Sequence, residues 1–112
     1  MKIAIPIADG KLCMHFGHCE QFAVVTADEH GRSVTDVQLL TPPPHEPGVL
    51  PQWLNEQGVN VIIAGGMGMR AQRFFGDFGI QVIVGAPPAE PKTVVEQYLA
   101  GTLVTGDNVC GH

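Results

Sequence analysis

The hydrophobic positions of this chain change their spacing from segment to segment, and the spacing predicts the elements. Residues 2–7, "KIAIPI", form a short apolar run ended by Asp9 and Gly10, which predicts a first strand. Residues 22–28 and 32–40 are rich in valine and threonine and flank a short glycine-containing segment, which predicts a β-hairpin. The first third of the chain is therefore expected to be antiparallel.

The remainder of the chain alternates helical spacing with continuous apolar runs. Helical spacing, with glycine or proline near the expected ends, is found in three segments, residues 49–58, 68–79 and 90–101. The runs "NVIIA" (60–64) and "IQVIVG" (80–85) are apolar throughout, as buried parallel strands are. The order βββαβαβα predicts an α/β fold in which helices cover both faces of a sheet.

Composition excludes several classes of protein. The chain has 112 residues, 45% of them hydrophobic, so residues 1–112 are expected to form a single globular domain. A formal net charge of −5 argues against binding to nucleic acid or to an anionic membrane surface. No apolar run is long enough for a membrane span or a signal peptide, so we expect a cytoplasmic protein whose three cysteines are free thiols or metal ligands.

The segment "AGGMGMRAQR", residues 64–73, follows a buried strand and enters a helix. Its glycines expose backbone N–H groups, and the helix amino terminus adds positive potential, so an anion is expected to bind here. Methionine thioethers suit a soft, sulfur-rich ligand better than a phosphate. The residues predicted to bind from this loop are Gly65, Gly66, Met67, Gly68, Met69 and Arg70. A tight strand-to-helix turn without any ligand explains the glycines equally well.

Metal-ligand side chains are concentrated in "KLCMHFGHCEQF", residues 11–22, and again at the carboxyl terminus. Their spacing matches neither a structural zinc site nor a redox Cys-x-x-Cys pair, and simple packing of the thiols in the core is the alternative. The candidate metal ligands are Cys13, His15, Cys19, Cys110 and His112. The remaining binding residues predicted in this segment are Lys11, Met14, Phe16, Gly17 and His18, together with His15.

Three motifs carry a resemblance to a known family. The segments "HFGHCEQF" (15–22), "GVNVIIAGGMGMRAQRFF" (58–75) and "YLAGTL" (98–103) resemble the nitrogenase iron-molybdenum cofactor carrier family, or NifX-like domains. The proline-rich segment and the cysteine-rich ends are most similar to the orange-protein branch, which binds a molybdenum-copper sulfide cluster. The resemblance implies a ribonuclease-H-like three-layer α/β/α fold with a mixed five-stranded sheet.

The resemblance also assigns motif residues. His15, Phe16 and Gly17 match the family's turn motif, and the loop from Gly65 to Ala71 matches its glycine loop. His18 stands where relatives often have arginine, and Cys19 stands where a small residue is usual. This chain therefore has one fixed positive charge fewer and one thiol more in its turn.

Together these features predict a binding protein rather than an enzyme. The expected cargo is an anionic metal-sulfide cluster, of the molybdenum-copper or the iron-molybdenum type, held between the turn at residues 15–19 and the loop at residues 65–70. The expected partners are transient donor and acceptor proteins. Two alternatives remain open at this point. One is a small nucleotide-dependent enzyme using Gly66-x-Gly68-x-x-Ala71, and the other is a thiol-based copper, zinc or redox sensor.

Overall fold

The fold is a mixed β-sheet with helices on both faces. The computed structural model describes residues 1–16, 19–28, 30, 33–44 and 48–106. The strands are β1 (Lys2–Ala8), β2 (Lys11–Leu12), β3 (Gln21–Asp28), β4 (Ser33–Leu40), β5 (Val61–Ile63) and β6 (Gln81–Ile83). The helices are α1 (Val49–Glu56), α2 (Met69–Asp77) and α3 (Pro91–Ala100). The α/β class and the three helices agree with the prediction from the sequence.

The sheet has the order β4-β3-β1-β5-β6, with β2 paired to the end of β1. β1, β5 and β6 are mutually parallel, whereas β2 and β3 run antiparallel to β1, and β4 runs antiparallel to β3. The hairpin of β3 and β4 is thus confirmed, although Gly31 in its turn lies outside the described residues. The two-residue strand β2 is an addition to the five predicted strands.

β1 lies at the centre of the sheet although it contains Pro6, which has no N–H to donate. The carbonyl of Pro6 accepts a 2.8 Å hydrogen bond from the amide of Cys13, so the proline nitrogen faces the same side. On that side the parallel pairing with β5 ends at Ala4, and the pairing with β2 begins at Ile7. The missing donor therefore falls in the gap between β5 and β2, where it interrupts no ladder.

Two apolar clusters fill the space between the sheet and the helices. On one face, Leu54 of α1 and Phe75 of α2 pack with Phe22 and Ile62 of the sheet. On the other face, Val94 and Val95 of α3 pack with residues of β1, β3 and β5. Each large apolar side chain that is fully buried contributes about 1.5–3 kcal/mol of hydrophobic stabilisation. The helices on both faces therefore stabilise the sheet. The result is the α/β/α layering that the family resemblance implies.

Candidate functional site

The carboxyl ends of the three parallel strands lie side by side, and each is followed by a loop. β1 leads through β2 to the turn that begins at Cys13, which we call the sulfur turn (residues 13–19). β5 leads to the loop at residues 64–68, which we call the glycine loop, and β6 leads to residues 84–90. In open α/β sheets this edge is where ligands bind. The described residues of the two predicted motifs are therefore brought to one edge of the sheet.

The sulfur turn and the glycine loop are in direct contact. The amide of Phe16 donates a 3.0 Å hydrogen bond to the carbonyl of Gly66. A Cβ atom on Gly65 would lie 2.9 Å from the Cα of Met14 and 3.2 Å from its Sδ. Real Cβ atoms do not approach backbone this closely, so only glycine allows the two loops to meet at this point.

The side chain of Phe16 fixes the sulfur turn to the core. Its ring packs edge-to-face on Phe22, with centroids 6.0 Å apart, and on Phe75, with centroids 5.7 Å apart. Edge-to-face pairs add about 0.5–1.5 kcal/mol each to the burial of the rings. Phe16 is buried, so its side chain holds the turn in place from below.

Helix α2 begins at the far end of the glycine loop, so its amino terminus lies at the edge of the sheet where the parallel strands end. Gly68 is its N-cap and offers no side-chain acceptor, so no side chain neutralises the first N–H groups of the helix. The loop itself is braced by Gln72, whose Nε2 donates a 2.9 Å hydrogen bond to the carbonyl of Met67. The partial positive charge of this helix end favours an anion.

Two exposed side chains flank that helix end. The guanidinium of Arg70 lies 5.9 Å from the ring centre of Phe74, a cation–π distance that keeps the cation near the start of α2. The thioether of Met69 is 51% exposed. A cation and a soft sulfur atom therefore stand beside the first N–H groups of the helix.

The methionine thioethers that were predicted to suit a soft ligand are only partly accessible. Met14 is half-buried and Met69 is exposed, whereas the side chain of Met67 is fully buried in the cluster with Phe75. In this arrangement only the backbone of Met67, and not its thioether, can contact a ligand. The sequence shows only the alternation of glycine and methionine and cannot tell which methionine turns inward.

Cys13 and Cys19 are both buried free thiols at the two ends of the sulfur turn. The Cys13 thiol donates a 3.0 Å hydrogen bond to the carbonyl of His15. Burial, together with coulombic repulsion from Cys13, raises the pKa of Cys19 to about 11. A metal–thiolate bond at Cys19 would therefore require removal of a proton that the protein holds firmly at neutral pH.

Of the remaining predicted residues, two are described by the structure and four lie outside the described part of the chain. Lys11 is exposed next to the sulfur turn, and His15 is exposed within it. Among the side chains that the structure describes, no three of the His, Cys, Asp and Glu type are grouped so that they can hold one metal ion. The predicted residues Gly17, His18, Cys110 and His112 lie outside the described residues.

A third backbone contact, absent from the sequence prediction, continues the site toward β6. The amide of Gly85 donates a 2.8 Å hydrogen bond to the carbonyl of Gly65, and the amide of Gly106 donates a 2.7 Å bond to the carbonyl of Gly85. Gly85 has a φ of +82°, and a Cβ there would overlap the carbonyl oxygen of Gly106. The chain at residue 106 is therefore held at the edge of the glycine loop.

Comparison with known proteins identifies the family. The profile of the dinitrogenase iron-molybdenum cofactor family matches residues 1–101. The chain belongs to this family. An uncharacterized protein of Methanocaldococcus jannaschii is 33% identical to it over 99 residues, which cover 73% of this chain and 72% of that protein. The family resemblance inferred from the sequence motifs is confirmed.

Solved structures share the fold over nearly the whole chain. The crystal structure of PH0822 matches with a TM-score of 0.85 and 28% identity, covering 95% of this chain and 96% of that one. The apo form of the orange protein from Desulfovibrio gigas matches with a TM-score of 0.72 and 21% identity, covering 96% of this chain and 93% of that one. At 21% identity the second likeness concerns the fold alone.

No helix in the described part of the chain is both long enough and apolar enough to cross a bilayer.

Proposed function

We propose that this chain is a single cluster-binding domain that carries an anionic metal-sulfide cluster without catalysing a reaction. The cluster would sit in the crevice between the sulfur turn and the glycine loop, and transient donor and acceptor proteins would load and unload it. The observation that carries the proposal is the joining of these two loops through Phe16 and Gly66, directly beside the uncapped amino terminus of α2. Family membership and the fold shared with the orange protein support the same function.

The electrostatics of the crevice suit such a cargo. The protein as a whole is acidic, with a formal net charge of −5, so an anion needs a local positive region. The amino terminus of α2, Arg70 and Lys11 supply one. On the rim beside the sulfur turn, Glu20 accepts a 3.0 Å hydrogen bond from the amide of Asp9, which places carboxylate charge there. An anion is therefore expected closer to α2 than to that rim.

The chemistry of the lining fits a soft surface and reversible binding. The accessible thioethers are those of Met14 and Met69, and thioethers interact well with polarisable sulfide. The two described cysteines are buried, and burial raises the pKa of Cys19 to about 11, which favours a cargo held by hydrogen bonds and charge over one held by several thiolate bonds. A cargo held in this way can be released to an acceptor.

The cargo that we propose first is a molybdenum-copper sulfide cluster, with an iron-molybdenum cluster as the alternative. The test is titration of the reduced protein with tetrathiomolybdate and copper under nitrogen. Visible absorption and molybdenum, copper and sulfide analysis follow after desalting. Retention of all three elements in a fixed ratio supports the molybdenum-copper cargo. Retention of copper alone contradicts the molybdenum-copper cargo and points to a thiol-based metal sensor or to the iron-containing alternative.

A nucleotide enzyme is tested in the same preparation by calorimetry with NAD and ATP. The segment at residues 66–71 does lie between a strand and a helix, as the dinucleotide fingerprint requires. However, no Asp or Glu stands at the end of β6, where such proteins place the residue that binds ribose. Tight nucleotide binding would contradict the carrier function.

A further inference from the structure

β4 is an unprotected edge of the sheet. Within the described residues it pairs only with β3, and its eight residues, Ser33–Leu40, are mostly exposed. Natural edge strands usually carry lysine or proline, or are very short, because an open row of N–H and C=O groups pairs with other strands. β4 contains neither lysine nor proline and is longer than an average strand.

The same edge exposes large apolar side chains. Val37 is 40% exposed and Leu39 is 58% exposed. They pair with Val25 and Ala23 of β3, so they share the sheet face that α3 covers. Between them and the start of α3 lies a groove of about 360 Å³, lined also by Ile7, Gln21, Pro91 and Lys92. The apolar surface of this face therefore continues beyond the helix to the open edge.

We propose that β4 binds β4 of a second copy of this chain, antiparallel, across a two-fold axis that passes through Gln38. In this register Gln38 faces Gln38 of the second copy, and Val37 faces Leu39 of the second copy. Symmetry repeats the second pair, so four apolar side chains meet on one face. Apolar cross-strand pairs of this kind contribute to sheet stability, and the two grooves become one continuous trough.

The charge of Asp36 favours this register over one in which the two-fold axis passes through residue 36. Asp36 is the only charged residue in β4. In the proposed register it faces Leu40 of the second copy, and the two Asp36 residues are offset by about 14 Å along the strands at roughly 3.4 Å per residue. That separation exceeds the screening length of about 8 Å at physiological salt. A register with Asp36 opposite Asp36 would instead set two carboxylates against each other.

The pairing leaves both crevices open. The two-fold axis reverses the direction of every strand in the second copy, so the carboxyl ends of the two β1 strands lie at opposite edges of the joined sheet. Each crevice then remains accessible to its own partner. The self-association does not depend on the nature of the cargo, so it stands or falls separately from the proposed function.

Sedimentation equilibrium of the full chain over micromolar to millimolar concentrations tests the interface. We expect a concentration-dependent monomer–dimer equilibrium. Leu39→Lys should weaken it by about tenfold or more, which is the usual loss for an apolar contact replaced by charge. Val104→Lys adds the same charge at an exposed position outside the interface and should leave it unchanged. A monomer at every concentration, or equal loss in both variants, overturns the proposal. Circular dichroism checks that both variants are folded.

Disulfide crosslinking tests the register. In a Cys110→Ser background, Gln38→Cys places a thiol beside its own copy, so mild oxidation should give a crosslinked dimer. Asp36→Cys in the same background has its copy too far away and should stay largely uncrosslinked. Equal crosslinking of the two variants, or stronger crosslinking at residue 36, overturns the register.

Discussion

The amide of Phe16 and the carbonyl of Gly66 form a 3.0 Å hydrogen bond that joins two loops from distant parts of the sequence. Below the bond, the ring of Phe16 is packed against Phe22 and Phe75. Beside it, Gly65 allows Met14 to approach within a distance that no side chain would permit. The two loops are thus held together by core packing and backbone contact alone.

The contact between Gly65 and Met14 predicts a costly substitution. Gly65→Ala places a methyl group 2.9 Å from the Cα of Met14, and the loops must separate to accommodate it. We expect the free energy of unfolding to fall by about 1–3 kcal/mol, as in other overpacked sites. Urea denaturation measures the change. Gly76→Ala is the control, because nothing lies within 4 Å of its Cβ and alanine favours the helix by up to about 1 kcal/mol. Equal effects of the two substitutions would show that the close approach does not matter.

Arg70 is expected to contribute directly to anion binding. Arg70→Gln removes the cation near the start of α2, and we expect affinity for tetrathiomolybdate to fall by about tenfold, the loss of one charge-assisted contact. The salt dependence of binding should also become weaker. Both quantities come from spectrophotometric titration at several salt concentrations.

Arg73→Gln is the matched control for Arg70. It removes the same charge from an exposed position one turn further along α2, away from the helix end. We expect a change in affinity within about twofold, since an exposed charge at this distance is well screened. A larger effect at Arg73 than at Arg70 would place the anion elsewhere on the helix.

The pKa of Cys19 predicts a loss of stability in alkaline solution. Burial, with coulombic repulsion from the nearby Cys13, raises this pKa from an ordinary value of 9.0 to about 11 in the folded chain. Between these two pH values the folded state holds a proton that the unfolded state has released, so the free energy of unfolding falls as pH rises. The stabilising contribution is complete below pH 9.0 and is lost as pH passes about 11.

Urea denaturation at fixed pH values, with Cys19→Ala as the comparison, measures this contribution. The variant lacks the thiol, so its stability should fall less steeply above pH 9.0, even though it is less stable throughout. Parallel pH profiles for the two proteins would show that the Cys19 thiol ionises equally in the folded and unfolded states.

The contact of Gly85 with Gly106 predicts that one substitution releases a chain segment. Gly85→Ala imposes a left-handed backbone on alanine and drives its Cβ into the carbonyl of Gly106. We expect faster hydrogen exchange at residues 102–106 and a loss of stability greater than about 1 kcal/mol. Gly79→Ala has nearly the same backbone conformation, with a φ of +74°, but nothing within 4 Å of its Cβ. The same exchange rates in both variants would rule out a specific effect of the Gly106 contact.

Local patterns in the sequence predicted most of the fold. The spacing of apolar residues located α1, and Gly58 ends it with a φ of +81°, the conformation for which glycine is favoured. The continuous apolar runs located β5 and β6, although these strands are shorter than predicted and end at Ile63 and Ile83. These features depend on neighbours in the chain, so periodicity and turn residues identify them.

Contacts between distant segments were not predictable in the same way. The short strand β2 forms only because Leu12 pairs with Ile7, and Gly85 meets Gly106 through backbone atoms that leave no mark on hydrophobic periodicity. The alternation of glycine and methionine located the glycine loop but could not separate the buried Met67 from the exposed Met69. That difference depends on how α2 packs on the sheet.

The crevice itself is tested most directly by amide chemical shifts of the nitrogen-15-labelled protein during titration with tetrathiomolybdate and copper under nitrogen. We expect the largest shifts at the sulfur turn and across residues 65–70, with smaller shifts at β4 and α3. Saturable binding with shifts confined to these two loops would support a cluster held at the Phe16–Gly66 contact. Shifts centred on another surface, or none at saturating ligand, would contradict it.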